Sequence, residues 1–398
     1  MTATICIADD DQQHLRQFSA MLEQPTLWTL RSAQTSKQVL QILGREAVDI
    51  LVVNVRMENM GGTRLLKTIQ DQHPQTTRIA LTDNSSRELG LLTMNTAHQF
   101  IVQPMKPEAV VEIMQRTLAL RQTLNKDNLR STVSQMGTLP SLPAHFSQLM
   151  DELNSPEASI KKVGQLISRD MAMTTKMLQL VNSAFFGLPK HISTPEQAVN
   201  LLGLEMIKAL ALSIHIFTQF KGPSASPGYV QKLFDHCLRT GILAKAIATF
   251  QGLDKKEMDN AFLSGLIHDT GKLILTCQLP KEFSRITSKA IHRSRPSHTA
   301  EMEQLGATHA EIGAYLLGLW GISGDIVEIV AFHHHPQKSP HSSFSALTAV
   351  HAANALDHIM HHAPELAGEK EVDLNHLDQL GLADSLSEWK ELAQEIQH

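Results

Sequence analysis

The segment Ala261-Phe-Leu-Ser-Gly-Leu-Ile-His-Asp-Thr-Gly-Lys272 carries the sharpest chemical signal in the chain. An apolar run of helical period delivers His268 and Asp269 side by side; a glycine then ends or bends the run, and a lysine follows. Further histidines lie on both sides: His236 before, His309 and the run His333-His334-His335 after. One His-Asp dipeptide arises easily by chance. Several histidine-bearing helical segments around one apolar segment do not. The pattern predicts a helical cage of imidazoles and a carboxylate, suited to a divalent metal or to its remnant. Neutral imidazoles with a carboxylate favour iron, manganese, zinc or nickel over magnesium. A metal in such a cage polarises a phosphoryl oxygen and activates water, and Lys272 is placed to stabilise phosphate charge.

Outward from this segment the sequence is helical. From Leu139-Pro-Ser-Leu-Pro143 to about residue 360 no strand alternation is convincing, and Pro195-Glu196 after Ser193-Thr194 reads as a helix start. Met171, Met173 and Met177 have the near-helical spacing of core residues. Asn182 and Phe185-Phe186 read as capping and packing elements, and His335, His361 and His362 as surface residues. Glu365 to His398 is polar, as expected of peripheral helices or a tail.

The first 120 residues have a different grammar. Ile5-Cys-Ile-Ala8, Asp49-Ile-Leu-Val-Val-Asn54, Arg78-Ile-Ala-Leu-Thr82 and Gln99-Phe-Ile-Val102 are short apolar strands separated by helical stretches. They predict a doubly wound parallel α/β sheet, with ligands at the strand C-termini. Asp9, Asp10, Asn54, Thr82 and Gln103 all fall there. A long helix from Pro107 to about Met136 reads as the last helix of this domain running into a linker. The expected division is therefore 1–122, a linker over 123–138, 139–360, and a C-terminal part over 361–398.

Bulk properties exclude some classes. A net charge of −5 and the absence of a Lys/Arg stripe argue against a nucleic-acid partner, and aromatics at 5% argue against a base-stacking platform. No apolar run approaches the roughly 20 residues of a membrane span. Cys6, Cys237 and Cys277 are far apart and odd in number, which fits buried thiols in a reducing compartment. With no leader-like opening, a cytoplasmic location is expected.

Residues 3–122 resemble the receiver domain of two-component response regulators. Asp9 and Asp10 match the acidic pair that holds magnesium in that family, and Thr82 matches its Ser/Thr. Asn54 stands where the phosphoryl-accepting aspartate belongs, and Gln103, before Pro104, replaces the lysine. A neutral amide oxygen forms no stable acyl phosphate. The resemblance thus implies a receiver that is not phosphorylated and that mediates protein contacts. Its residual acids at Asp9 and Asp10 remain able to hold magnesium weakly.

Residues 139–357 resemble the HD-related output domain (HDOD) of bacterial signalling proteins, a divergent relative of the HD metal-dependent phosphohydrolases. The resemblance runs through Asn182-Ser-Ala-Phe-Phe-Gly187, Ala198-Val-Asn-Leu-Leu-Gly-Leu204, Phe262 to Asp269, Gly306-Ala-Thr-His-Ala-Glu-Ile-Gly313 and His333-His-His-Pro336. It implies His236, His268 and Asp269 as metal ligands, with His309, His333 and His334 matching extra ligands of two-metal members that cleave cyclic di-GMP. The distal aspartate of the family aligns with His351 or Asn354, neither a carboxylate. The Gly-Tyr-Pro segment of the cyclic di-GMP hydrolases is replaced by His335-Pro-Gln-Lys338. Two functions stay open: a regulator acting through protein partners, as a monomer or homodimer, and a metal-dependent phosphohydrolase of a nucleotide or cyclic dinucleotide, in which Asp269 and Lys272 would be catalytic.

Overall fold

The computed structural model describes residues 3–22, 28–58, 61–73, 75–83, 96–103, 107–123, 144–153, 155, 157–183, 186, 191–219, 226–293, 295–320, 322–339, 343–361 and 372–396. The chain forms two compact units, Met1–Ser147 with Tyr315–Gly324, and Gln148–Ala314 with Asp325–His398.

The first unit is a five-stranded, wholly parallel sheet in the order β2-β1-β3-β4-β5. The strands are β1 (Ala3–Ala8), β2 (Trp28–Ala33), β3 (Ile50–Asn54), β4 (Thr77–Asp83) and β5 (Gln99–Gln103). The helices are α1 (Gln12–Met21), α2 (Ser36–Leu43), α3 (Gly61–Gln72) and α4 (Pro107–Thr123). Because strand side chains alternate, both sheet faces are apolar and each is covered. Ile5, Ile7, Ile50, Val52, Ile79, Leu81 and Ile101 pack on one side with Leu15 and Phe18 of α1 and Val110, Met114 and Leu118 of α4. Cys6, Ala8, Leu51, Val53 and Ala80 pack on the other with Val39 and Leu43 of α2 and Leu65, Leu66 and Ile69 of α3.

One feature differs from the sequence reading. The sheet has a fifth strand, β2, which lacks an apolar run because it is an edge strand with Arg31 and Ser32 exposed. Leu118, on the helix expected to close this domain, lies in the first unit's core at 7% exposure. The remainder of the expected linker, 124–138, and the expected start of the next domain, 139–143, lie outside the described residues.

The second unit is helical. Its elements, of which α5, α15 and α16 also take in residues of the first unit, are α5 (Ala144–Leu153), α6 (Ile160–Ser168), α7 (Met171–Val181), α8 (Pro195–Leu202), α9 (Leu204–Gln219), α10 (Pro227–Phe250), α11 (Lys255–Ile267), α12 (Thr270–Gln278), α13 (Pro280–His292), α14 (Ser297–Leu305), α15 (His309–Leu319), α16 (Gly324–Phe332), α17 (Ala346–His361), α18 (Leu374–Gln379) and α19 (Ser385–Ile396). None of these helices is long and apolar enough to cross a membrane.

Thr194 caps α8 through its side chain, with Pro195 in the first turn. Asn182 caps α7: its amide donates to the carbonyls of Leu178 and Ile192, and its oxygen accepts from the Ile192 N–H. Met173 and Met177 are core, but Met171 is 82% exposed in the first turn of α7, where a helix still presents its outer face.

α10 and α17 form the centre of the unit. Leu243, Ala244 and Ile247 meet Val350, Ala353 and Leu356, and α11 adds Ala261. The polar C-terminal stretch belongs to this core: Trp389 is fully buried with Leu377 and Ala393. Amphipathic helices hide few but large apolar side chains, so their average polarity masks their role.

Candidate metal centre

The HD dipeptide sits at a helix junction. His268 is the C-cap of α11 and Asp269 the N-cap of α12. An N-cap aspartate ordinarily accepts hydrogen bonds from the first-turn amides. Asp269 makes none, and its carboxylate turns into the second unit's interior.

Glycines let the partner helices come close. A Cβ on Gly265 of α11 would stand 2.5 Å from the Cα of Gly241 in α10, so this crossing tolerates no side chain. It brings His236 of α10 against His268. A Cβ on Gly271 would fall on the carbonyl oxygen of His309, and one on Gly313 against the Gly271 nitrogen. This second contact brings the start of α15 against Asp269. His333 and His334 follow the C-terminus of α16.

The six expected ligands converge. His236 Nε2 lies 3.2 Å from His268 Nε2, and these atoms stand 3.7 and 3.5 Å from Asp269 Oδ2. His309 Nε2 lies 3.1 Å from Asp269 Oδ1 and 2.9 Å from His334 Nε2, while His333 Nε2 is 4.0 Å from that same Oδ1. Two ligand triads result, His236/His268/Asp269 and His309/His333/His334, with the carboxylate of Asp269 between them. All six residues are buried, none more than 5% exposed.

The outer nitrogens fix the tautomers. Nδ1 of His268 donates to the Gly265 carbonyl and Nδ1 of His333 to the Val330 carbonyl, both at 2.8 Å. Nδ1 of His236 bonds Asp357 Oδ2 and Nδ1 of His309 bonds Glu301 Oε2, both at 2.7 Å. Burial presses the His268 imidazole down to about 4 against the attraction of Asp269, and presses His333 well below its ordinary value. Both rings are therefore neutral near pH 7, with the Nε2 lone pair facing the cage, where that of His268 meets His236 Nε2 at 3.2 Å. Burial disfavours the charged forms of Asp269 and Glu301, yet Lys272 with His268 for the first, and His309 for the second, hold both carboxyls below their usual range. For His309 burial pushes the ring down, but the pull of Glu301 together with Asp269 outweighs it and raises the ring.

A metal ion fits this donor set. Histidine ligands typically donate their other N–H to a carboxylate or carbonyl, as four rings do here. Asp269 Oδ1 and His333 Nε2 are buried with no hydrogen-bond partner among the described residues, and the polar atom facing that oxygen, His309 Nε2 at 3.1 Å, is itself a candidate ligand. Orphaned buried polar atoms are costly, and an ion between them would remove the cost.

Other expected residues have different roles. His351 is no ligand: its Nδ1 donates to the His333 carbonyl and its Nε2 accepts from the Asp373 N–H. It ties α17 to the His333 turn and to the start of α18. Asn354 is buried with its Oδ1 unpartnered among the described residues. Lys272 is 1% exposed and grips Asp269 Oδ2 at 2.8 Å, so its ammonium is committed to that carboxylate. His335, expected at the surface, is half-buried.

Three contributors were missed. Asp357 orients His236 and is itself held by Arg239 at 2.6 and 3.0 Å. Glu301 orients His309. His358 stacks on His236 at 4.3 Å and is buried. Asp357-His358 is a second acid–imidazole neighbour pair, one turn beyond Asn354 on α17, and that proximity was the available signal.

In the receiver-like unit, Asp9 Oδ1 accepts from the Asp11 N–H and its Oδ2 from the Asn54 amide, both at 3.0 Å. Asp10 Oδ2 accepts from the Glu58 N–H at 2.6 Å, and Asn54 Oδ1 from the Arg56 N–H. Burial raises the Asp9 carboxyl above its ordinary value. Thr82 is buried near the end of β4, and Gln103 ends β5 half-buried, with no charge to offer a phosphoryl group.

Comparison with known proteins gives these folds their class. Residues 5–115 match the response regulator receiver domain family, and residues 139–336 match the HDOD domain family. The chain thus joins a receiver domain to an HDOD domain. An uncharacterised protein from Treponema pallidum is 26% identical over 233 residues, 58% of this chain and 45% of its own. The transcriptional regulatory protein ZraR of Escherichia coli is 25% identical over 150 residues, 37% of this chain and 34% of its own. The chain spans less than half the length of these curated relatives. A crystal structure of an HDOD domain protein with unknown function from Geobacter sulfurreducens is similar at a TM-score of 0.54 and 22% identity. It covers 70% of this chain and 99% of that one, a likeness of fold.

Proposed function

We propose that this chain transmits a signal through protein contacts, with a receiver that accepts no phosphoryl group and an HDOD domain built around a buried metal-binding cage. The observation that carries the receiver half is the Asn54 amide, which donates to Asp9. In a working receiver the acidic pair and the acceptor carboxylate repel one another and call for a cation. Here an N–H donor satisfies Asp9 directly, and the position offers no anionic nucleophile. Intact mass after treatment with acetyl phosphate tests this. The expected outcome is an unchanged mass. A stoichiometric, hydroxylamine-sensitive gain of one phosphoryl group would overturn it and direct attention to Asp49.

A second reading, hydrolysis of a nucleotide phosphodiester, draws support from the ligand triads, whose donor chemistry suits zinc, iron, manganese or nickel. A bound ion would supply Lewis acidity and an activated water. The chain's own residues favour the regulatory reading. Every ligand is buried, and Lys272 is bound to Asp269 rather than presented to a substrate. Metal analysis with a screen against bis(4-nitrophenyl) phosphate and cyclic di-GMP separates the two readings. We expect bound metal with turnover at background. Turnover abolished by Asp269→Ala would establish the enzyme.

A further inference from the structure

We propose that the cage is asymmetric: one divalent ion binds at His309, His333, His334 and Asp269 Oδ1, and Lys272 stands in for a second ion against Asp269 Oδ2. This rests on the metal-binding reading above and adds where the ion sits and how many there are.

The two halves differ in what their lone pairs already touch. Both orphaned atoms of the cage, Asp269 Oδ1 and His333 Nε2, belong to the His309 half and stand 4.0 Å apart. Two ligands about 2.1 Å from one ion lie no more than about 4.2 Å apart, so this pair can share it. His309 Nε2 and His334 Nε2, 2.9 Å from one another, complete four donors. Three imidazoles and one carboxylate oxygen make a closed set for a four-coordinate ion such as zinc.

In the His236 half each carboxylate already holds a fixed cation. Lys272 Nζ lies 2.8 Å from Asp269 Oδ2. Arg239 takes both oxygens of Asp357, the carboxylate behind His236. A dication entering there would meet an ammonium at its only anionic ligand, in a site screened from water. Behind His309 the arrangement is different. Glu301 accepts from the His309 N–H and Nδ1, and its other oxygen has no partner among the described residues. Its negative charge therefore backs the ion-binding ring and not a resident lysine or arginine. Asp269 thus divides its two oxygens between a built-in monovalent cation and an exchangeable divalent one.

The test uses the full chain, stripped with chelator and titrated with Zn²⁺ by calorimetry, with metal content read by elemental analysis and folding by circular dichroism. Wild type should bind one ion. His309→Ala and His333→Ala should each weaken it by at least about tenfold, whereas His268→Ala should change it by less than that. Lys272→Gln removes the charge but keeps a donor for Asp269, and should raise the stoichiometry to two. Lys272→Met is the second variant should the first misfold. Two equivalent ions in wild type would overturn the asymmetry. So would an ion lost in His268→Ala and kept in His333→Ala, or one that survives both His309→Ala and His333→Ala. A stoichiometry of one in folded Lys272 variants would overturn the lysine's role. If neither wild type nor the Lys272 variants bind Zn²⁺, the metal-binding reading itself fails, a result distinct from those above.

Discussion

The receiver's acidic corner and the HDOD cage are both relatives of ion sites, and they have departed from that chemistry in opposite ways. In the receiver, the substituted residue closes the site: the Asn54 amide and two backbone N–H groups satisfy Asp9 and Asp10. In the cage, substitution is peripheral and the lone pairs remain, with Asp269 Oδ1 and His333 Nε2 left unpartnered among the described residues. A polar cluster that has lost its ion survives when its own hydrogen bonds replace the ion. One that keeps buried orphaned lone pairs retains a reason to bind it. The contrast is one of satisfaction, not of charge count.

The largest expected effect tests the cage. Asp269→Ala leaves the Lys272 ammonium buried and unpaired, and should destabilise the HDOD unit by about 3–5 kcal/mol. Urea unfolding of the full chain, followed by tryptophan fluorescence and circular dichroism, measures it. A loss under about 1 kcal/mol would mean that water or another group already solvates Lys272, and the contrast with the receiver would collapse.

Acid sharpens the comparison next. His268 and His351 are held down to about 4, and His298 of α14, which stacks on His334 at 4.1 Å, to about 3, in each case chiefly by burial. Their folded values lie below the unfolded value of about 6.5, so the unfolded chain binds more protons between those limits. Stability is therefore present above about pH 6.5 and falls as pH drops toward 4, at about 1.4 kcal/mol per pH unit for each ring. Asp9 has the opposite sign: its raised carboxyl stabilises below its unfolded value and loses that contribution as pH rises through the folded one. Thermal melts from pH 7.5 to 5 should show the HDOD transition falling while the receiver transition moves little. Parallel movement of the two would contradict the assignment of the sensitivity to the cage and its neighbours.

A smaller effect tests the receiver. Asn54→Asp replaces the amide donor with a carboxylate facing Asp9. It should cost about 1–3 kcal/mol without divalent ions, and millimolar Mg²⁺ should recover much of the loss. Wild type, which holds Mg²⁺ weakly at most, should show a much smaller Mg²⁺-dependent shift. An equal shift in both proteins would indicate that Asn54 does not close the site.

The fold class was largely legible in the sequence, because period and burial are local properties. Four apolar strands and the helical run after residue 139 announce themselves. The fifth strand, β2, does not, since an edge strand with exposed Arg31 and Ser32 has no continuous apolar signature. The family resemblance likewise picked out His236, His268, Asp269, His309, His333 and His334, which the fold brings together.

What the sequence by itself determined is the inventory: which residues can ligate an ion, and that Asn54 and Gln103 cannot do phosphoryl chemistry. Only the tertiary structure decided how that inventory is used. His351 spends both nitrogens on the backbone of other segments, Lys272 spends its charge on Asp269, and Asp357 and Glu301 emerge as the carboxylates behind His236 and His309. These choices depend on partners up to 121 residues away and on glycine contacts that set helix spacing to within ångströms. A side chain's chemistry is local, whereas the satisfaction of its lone pairs is a property of the packed whole.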